Sequence, residues 1–81
     1  MEIALAPTAW PVIAETGGAR KARAARGVRG KSGGARVIYY VVVRRGVLYL
    51  LDVYAKSAKE DLSDAEKREI RKLIGEIEAQ A

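Results

Sequence analysis

The sequence predicts an α+β domain: a small antiparallel β-sheet packed by a C-terminal helix and a short N-terminal helical segment. Three observations carry that reading. Two runs rich in β-branched and aromatic residues stand three residues apart, a capping signature precedes an apolar stripe at helical spacing, and 81 residues leave room for one domain only. A chain this short buries only ~60% of the surface that its unfolded form exposes, so its core is thin and a partner that adds to it is expected.

From the N-terminus, Glu2 to Ala6 is a short apolar piece stopped by Pro7, and Pro11 follows Trp10. Both prolines exclude a helix interior over 7–11, so residues 1–15 read as the end of a helix. Thr16-Gly17-Gly18 signals a turn. Ala19 to Ala25 alternates small and basic residues and is the first strand candidate, although alanine is a poor strand former. Four glycines between Arg26 and Gly34 mark a cationic loop. Arg36 to Val43 and Val47 to Tyr54 are the two strong strands. Arg44-Arg45-Gly46 between them has the length and terminal glycine of a three-residue hairpin loop, with Gly46 in the left-handed conformation. Neither strand alternates apolar with polar, so both faces of the sheet, placed over 19–54, require cover.

One cover is the helix expected over 63–79. Ser63-Asp64-Ala65-Glu66 is a capping box, in which Ser63 and Glu66 each satisfy a free N–H of the first turn. Ile70, Leu73, Ile74 and Ile77 follow at i, i+3, i+4 and i+7 and read as core.

Composition excludes several chemistries. There is no cysteine and no histidine, which removes disulfides, thiolate zinc sites, a cysteine nucleophile and an imidazole base; no metal site and no cofactor are expected. Gly30-Lys31-Ser32 spells the end of a phosphate-loop motif, but Arg26 stands where its first glycine belongs. The longest apolar run, Val37 to Val43, is far below the ~18 residues of a membrane span, and no charged leader precedes an apolar core. The expectation is a cytoplasmic protein with no membrane contact.

Charge is distributed unevenly. The chain carries 15 Lys+Arg against 10 Asp+Glu. Nine cations and no acid lie between Arg20 and Arg45, whereas from Ser57 onward five cations meet seven acids. The first stretch is a candidate polyanion surface, and Tyr39, Tyr40, Tyr49 and Tyr54 beside it serve either as sheet packing or as platforms for unpaired bases.

Three stretches together resemble a known family: Thr16-Gly17-Gly18-Ala19-Arg20-Lys21, then Gly30-Lys31-Ser32-Gly33-Gly34-Ala35-Arg36-Val37-Ile38-Tyr39-Tyr40, then Asp52-Val53-Tyr54-Ala55-Lys56-Ser57 with Lys59-Glu60-Asp61-Leu62-Ser63. They look like the RelE/HigB toxins of type II toxin–antitoxin systems over about residues 12–78. The resemblance implies a single RelE-like domain that cuts mRNA on the ribosome, inhibits translation, and is neutralised by a cognate antitoxin protein. It also implies a first strand and first helix that have no counterpart here, leaving more sheet face open. A ParE-like poison of DNA gyrase, or an inactive basic RNA-binding module, are the alternatives.

Cleavage by 2′-OH attack requires a base, cations on the phosphorus centre and an acid for the leaving 5′-oxygen. A lysine amid arginines can replace histidine as the base, because neighbouring positive charge disfavours its ammonium form. Lys31 and Lys56 are the candidates. Arg36 matches the family's phosphate-contacting arginine or is an edge cation. Tyr54 lies near where the family places a residue that stacks on or protonates the substrate, or it packs the sheet. Lys59 is a phosphate contact or a partner of Glu60 or Asp61. Arg20, Lys21, Arg23, Arg26 and Arg29 are the candidate docking residues for ribosomal RNA.

Overall fold

The computed structural model describes residues 6–24 and 34–80. Three strands, β1 (Arg20–Ala24), β2 (Ala35–Val42) and β3 (Val47–Ala55), precede one helix, α1 (Asp64–Gln80). The sheet is antiparallel in the order β1-β2-β3. The α+β class therefore stands, and each expected strand is present within a residue or two of its expected ends.

Residues 6–15 form no helix. A turn with Ala9 N–H bonded to the Ala6 carbonyl at 3.1 Å leads into a stub along the outer edge of β1. There Val12 bridges to Arg20, and Lys21 N–H reaches the Pro11 carbonyl at 3.2 Å. The correction to the expected helical segment has a physical cause: Pro7 and Pro11 remove two amide donors, and Trp10 is anchored on the sheet. Residues 1–5 lie outside the described residues. Beyond the stub, Thr16 is fully buried, donates to the Ile13 carbonyl at 2.7 Å and accepts from Ala19 N–H at 3.0 Å. Gly18 follows at φ 120, and a Cβ there would stand 3.2 Å from the Tyr40 ring.

The hairpin differs from expectation by one residue. Val43 leaves the strand and joins a 3₁₀ turn (Val43–Arg45), and Gly46 closes it at φ 66 with its N–H on the Val43 carbonyl. A bulge interrupts the β2–β3 ladder: Ile38 pairs with Asp52 and Tyr39 with Leu50, leaving Leu51 as the extra residue.

Alternation then sorts side chains onto two faces. On one, Ala22, Ala35, Val37 and Tyr39 are buried beneath Trp10 and Leu48, and the Tyr39 hydroxyl donates to the Pro7 carbonyl at 2.5 Å. On the other, Ile38 and Tyr54 pack with Leu62, Ile70 and Ile74. Of the predicted stripe only Ile70 and Ile74 are buried; Leu73 is 43% exposed. The reason is width, since a three-stranded sheet gives α1 one line of contact over Ile38, and Leu73 falls beyond it.

The capping box forms as predicted, with Glu66 N–H on Ser63 Oγ at 3.1 Å and Ser63 N–H on Glu66 Oε1 at 2.8 Å. Ser63→Ala is expected to cost about 1 kcal/mol, measured as a drop in urea midpoint with unchanged slope. Among the described residues no helix is long and apolar enough to cross a membrane.

Candidate functional site

Register assembles the site. Arg23 pairs with Arg36, and Arg36 pairs with Tyr54, so the three side chains form a row across the sheet on the α1 face. The row stands next to the sheet end where β1 finishes, β2 begins and β3 runs out, closed by the pairs Ala24–Ala35 and Ala35–Ala55. Lys56 follows at the same end, its N–H on the Gly34 carbonyl at 3.3 Å and its side chain exposed. Two arginines therefore lie directly opposite each other. Such like-charge pairing opposes folding, and an anion bridging the two guanidinium groups relieves it.

Two more cations beside the row are already engaged. Lys21 holds Asp61 at 2.7 Å, and Lys59 is bonded to Glu66. The Lys59 ammonium also sits 4.7 Å from the centre of the Tyr54 ring, within cation–π range. Its partner is thus the capping-box glutamate rather than Glu60 or Asp61. The Glu66 bond raises the Lys59 ammonium above its ordinary pKa, which suits a fixed positive charge and not a base. Arg20 parts company with the others. It lies on the Trp10 face, where its guanidinium donates to the carbonyls of Trp10 at 2.6 Å and Thr8 at 3.2 Å. That bond set ties the N-terminal turn to the sheet.

Tyr54 is nearly buried, and burial raises its phenol above the ordinary value, with Lys21, Lys59 and Arg36 pulling the other way. The phenol keeps its proton at neutral pH. Its only described partner is the Glu60 carbonyl at 3.5 Å, a long contact that leaves the O–H able to turn to a closer acceptor. Among the described residues the Arg36 guanidinium makes one 3.5 Å contact, to the Ala35 carbonyl of its own strand.

Beside the row, a shallow cleft of about 320 Å³ is lined by Trp10, Pro11, Lys21, Arg23 and Arg36. An aromatic edge next to three cations suits an unpaired base with its phosphate. Trp10 was not among the sequence-derived candidates, because its place in the cleft depends on the β1-edge stub and not on any local motif. Arg26, Arg29 and Lys31 lie outside the described residues.

The carboxylates here carry a pH dependence. Hydrogen bonding to Lys21 holds Asp61 below its ordinary pKa, and bonding to Lys59 and Ser63 does so for Glu66; at the far end of α1, Tyr40 and Arg44 do the same for Glu78. A carboxyl depressed in the folded state contributes stability that is present above its unfolded pKa and lost as pH falls through the folded one. The melting temperature is therefore expected to fall on acidification through and below the ordinary carboxylate range, and Asp61→Asn to flatten that fall. Circular dichroism melts across a pH series measure both.

The geometry is matched by kinship. The family described as "RelE toxin of RelE / RelB toxin-antitoxin system" matches residues 13–81, which takes in the row, the cleft's cations, the hairpin and the whole of α1. The chain belongs to the RelE toxin family, the toxin half of a toxin–antitoxin pair.

Proposed function

We propose that the chain is a ribosome-dependent mRNA endonuclease, acting in the cytoplasm and silenced by its cognate antitoxin. The observation that carries this reading is the Arg23–Arg36–Tyr54 row, two opposed guanidinium groups beside a protonated phenol at one end of the sheet. RelE family membership gives the substrate class its starting point, since the family is generally one of ribonuclease toxins.

The division of labour follows from the groups present. Attack of the ribose 2′-oxygen on phosphorus forms a 2′,3′-cyclic phosphate and breaks the bond to the 5′-oxygen. The 2′-OH proton goes to a base, the amine of Lys31 or Lys56. The added negative charge on the phosphorane is met by Arg36, whose planar fork donates two parallel bonds, with Arg23 beside it. The departing 5′-oxygen takes a proton from Tyr54, which pairs with Arg36 across β2 and β3. Lys59, held over the Tyr54 ring, keeps that ring in place and adds positive potential. Lys21, Arg23, Arg26 and Arg29 dock the RNA, with Trp10 stacking on a base in the cleft. Arg20 supports this docking through the N-terminal turn.

Substitution of the candidate bases tests the reading. Lys31→Ala and Lys56→Ala are made singly and together, then assayed for growth inhibition on induction and for RNA binding. An endonuclease loses toxicity in at least one of them with RNA binding largely kept. Toxicity that survives the double change and Arg36→Ala belongs to a non-catalytic poison, and the proposal then fails.

A further inference from the structure

Tyr54 lies beneath a loop that is pinned at two places. After β3 the chain turns back at once, with Ala58 N–H on the Ala55 carbonyl at 3.0 Å and Lys59 N–H on the same oxygen at 3.4 Å. Leu62 then enters the cluster that holds Tyr54. Lys21 ties the loop to β1 through Asp61 at 2.7 Å, and Glu66 ties it to the first turn of α1 through Lys59. The turn sets the Lys59 ammonium over the Tyr54 ring, 4.7 Å from its centre.

That contact does not hold the ammonium by itself. An exposed cation–π contact is worth less than the rotamer freedom of a lysine stem that it has to quench. A second attachment is needed, and Glu66 supplies it with a carboxylate whose two oxygens have separate tasks. Oε1 accepts the Ser63 N–H at 2.8 Å and closes the capping box, while Oε2 accepts the Lys59 ammonium. The cap thus fixes the carboxylate, and the carboxylate fixes the lysine above the phenol. Asp61 stands nearer to Lys59 in the chain but is engaged by Lys21.

We propose that Glu66 is a positioning residue of the site: through Lys59 it governs how readily Tyr54 gives up its proton, so that the cap of α1 serves the reaction as well as the fold. The inference rests on the acid role proposed for Tyr54. When the phenol O–H passes its proton to the leaving 5′-oxygen, the ring is left as phenolate, and a cation fixed over it stabilises that charge. The charged groups facing the phenol are Lys21 from β1, Arg36 from β2, and Lys59 and Asp61 from the loop; burial and Asp61 oppose the phenolate, and the three cations favour it. Of these, Lys59 has its charge over the ring itself. Bonding to Glu66 from α1 and the charge of Asp52 on β3 keep that ammonium charged.

Two substitutions separate this role from plain capping. Glu66→Gln keeps a carbonyl for the Ser63 N–H and loses the charge that holds Lys59. Ser63→Ala loses the hydroxyl that accepts the Glu66 N–H and leaves the carboxylate on Lys59. In the full chain the ε-methylene protons of Lys59 report placement by nuclear magnetic resonance, since the ring current of Tyr54 moves them upfield, and Lys59→Ala identifies their signal. The expected result is an upfield signal in the parent and in Ser63→Ala, and an ordinary one in Glu66→Gln with its circular dichroism unchanged. On ribosome-bound message, kcat is expected to fall about tenfold in Glu66→Gln and in Lys59→Ala, with KM within about twofold, and no further in the double variant, because the carboxylate acts through the ammonium. An upfield signal that survives Glu66→Gln, an equal loss of it in Ser63→Ala, or an undiminished kcat in Glu66→Gln would overturn the proposal. A parent chain that cuts no message sinks the proposed activity instead, and the ring-current comparison, which uses no RNA, still decides whether Glu66 holds Lys59.

Discussion

Arg36→Ala is expected to lower the rate of RNA cleavage about 100- to 1,000-fold, the loss typical of removing one donor aimed at charge that develops in a transition state. The side chain is partly exposed and, among the described residues, makes one long contact to its own strand, so its removal takes little from the fold. It even relieves the opposition with Arg23. The melting temperature is accordingly expected to stay within a few degrees of the parent, which separates lost chemistry from lost structure. Arg36→Lys keeps the charge but not the fork, and should recover part of the rate. Single-turnover cleavage of ribosome-bound message, with a melt on each variant, makes the comparison.

The second large effect is on stability. Ile38 is fully buried at the centre of β2, the middle strand, with Tyr54, Leu62, Ile70 and Ile74 in the same cluster. Truncation to alanine removes three carbons from the cluster in which α1 packs on the sheet, at a cost of about 2–5 kcal/mol. A domain of this length has roughly 4–12 kcal/mol in all. Ile38→Ala is therefore expected to lower the melting temperature by at least about 10 °C and to leave a substantial unfolded fraction at physiological temperature. Ile38→Val, at about 0.5–1.5 kcal/mol, should fold. Exposed Leu73→Ala, by contrast, should cost less than about 1 kcal/mol. Had the sequence's four-residue stripe been core throughout, Leu73 and Ile38 would behave alike; urea titrations of the three variants decide it.

What was legible in the sequence was local. The hairpin followed from two β-branched runs and a glycine whose φ of 66 only the turn demands, and α1 followed from a capping box whose two bonds both form. What was not legible depends on contacts distant in sequence. The N-terminal segment is a turn and a stub because Trp10 finds Ala22, Val37 and Tyr39, and because the Tyr39 hydroxyl, 32 residues on, reaches the Pro7 carbonyl. Leu73 and Ile74 look alike in sequence, and only the width of the sheet tells them apart. The site shows the same division. Arg36 and Tyr54 could be named singly, but their adjacency, and Arg23 beside them, needed the register. So did the separation of Arg20 onto the opposite face, where it ties down a turn. Lys59 found Glu66, seven residues away, because the capping box brings that carboxylate back over the loop.

The proposed activity is cleavage of message by this cluster of cations and one phenol while the ribosome presents the RNA. Mapping mRNA 5′ ends in cells after induction, for one transcript with its start codon and the same transcript without it, tests that most directly. New 5′ ends within the coding region of the translated transcript alone, absent with Arg36→Ala, are the predicted result. Identical ends on both transcripts, or none on either while growth still stops, would contradict it.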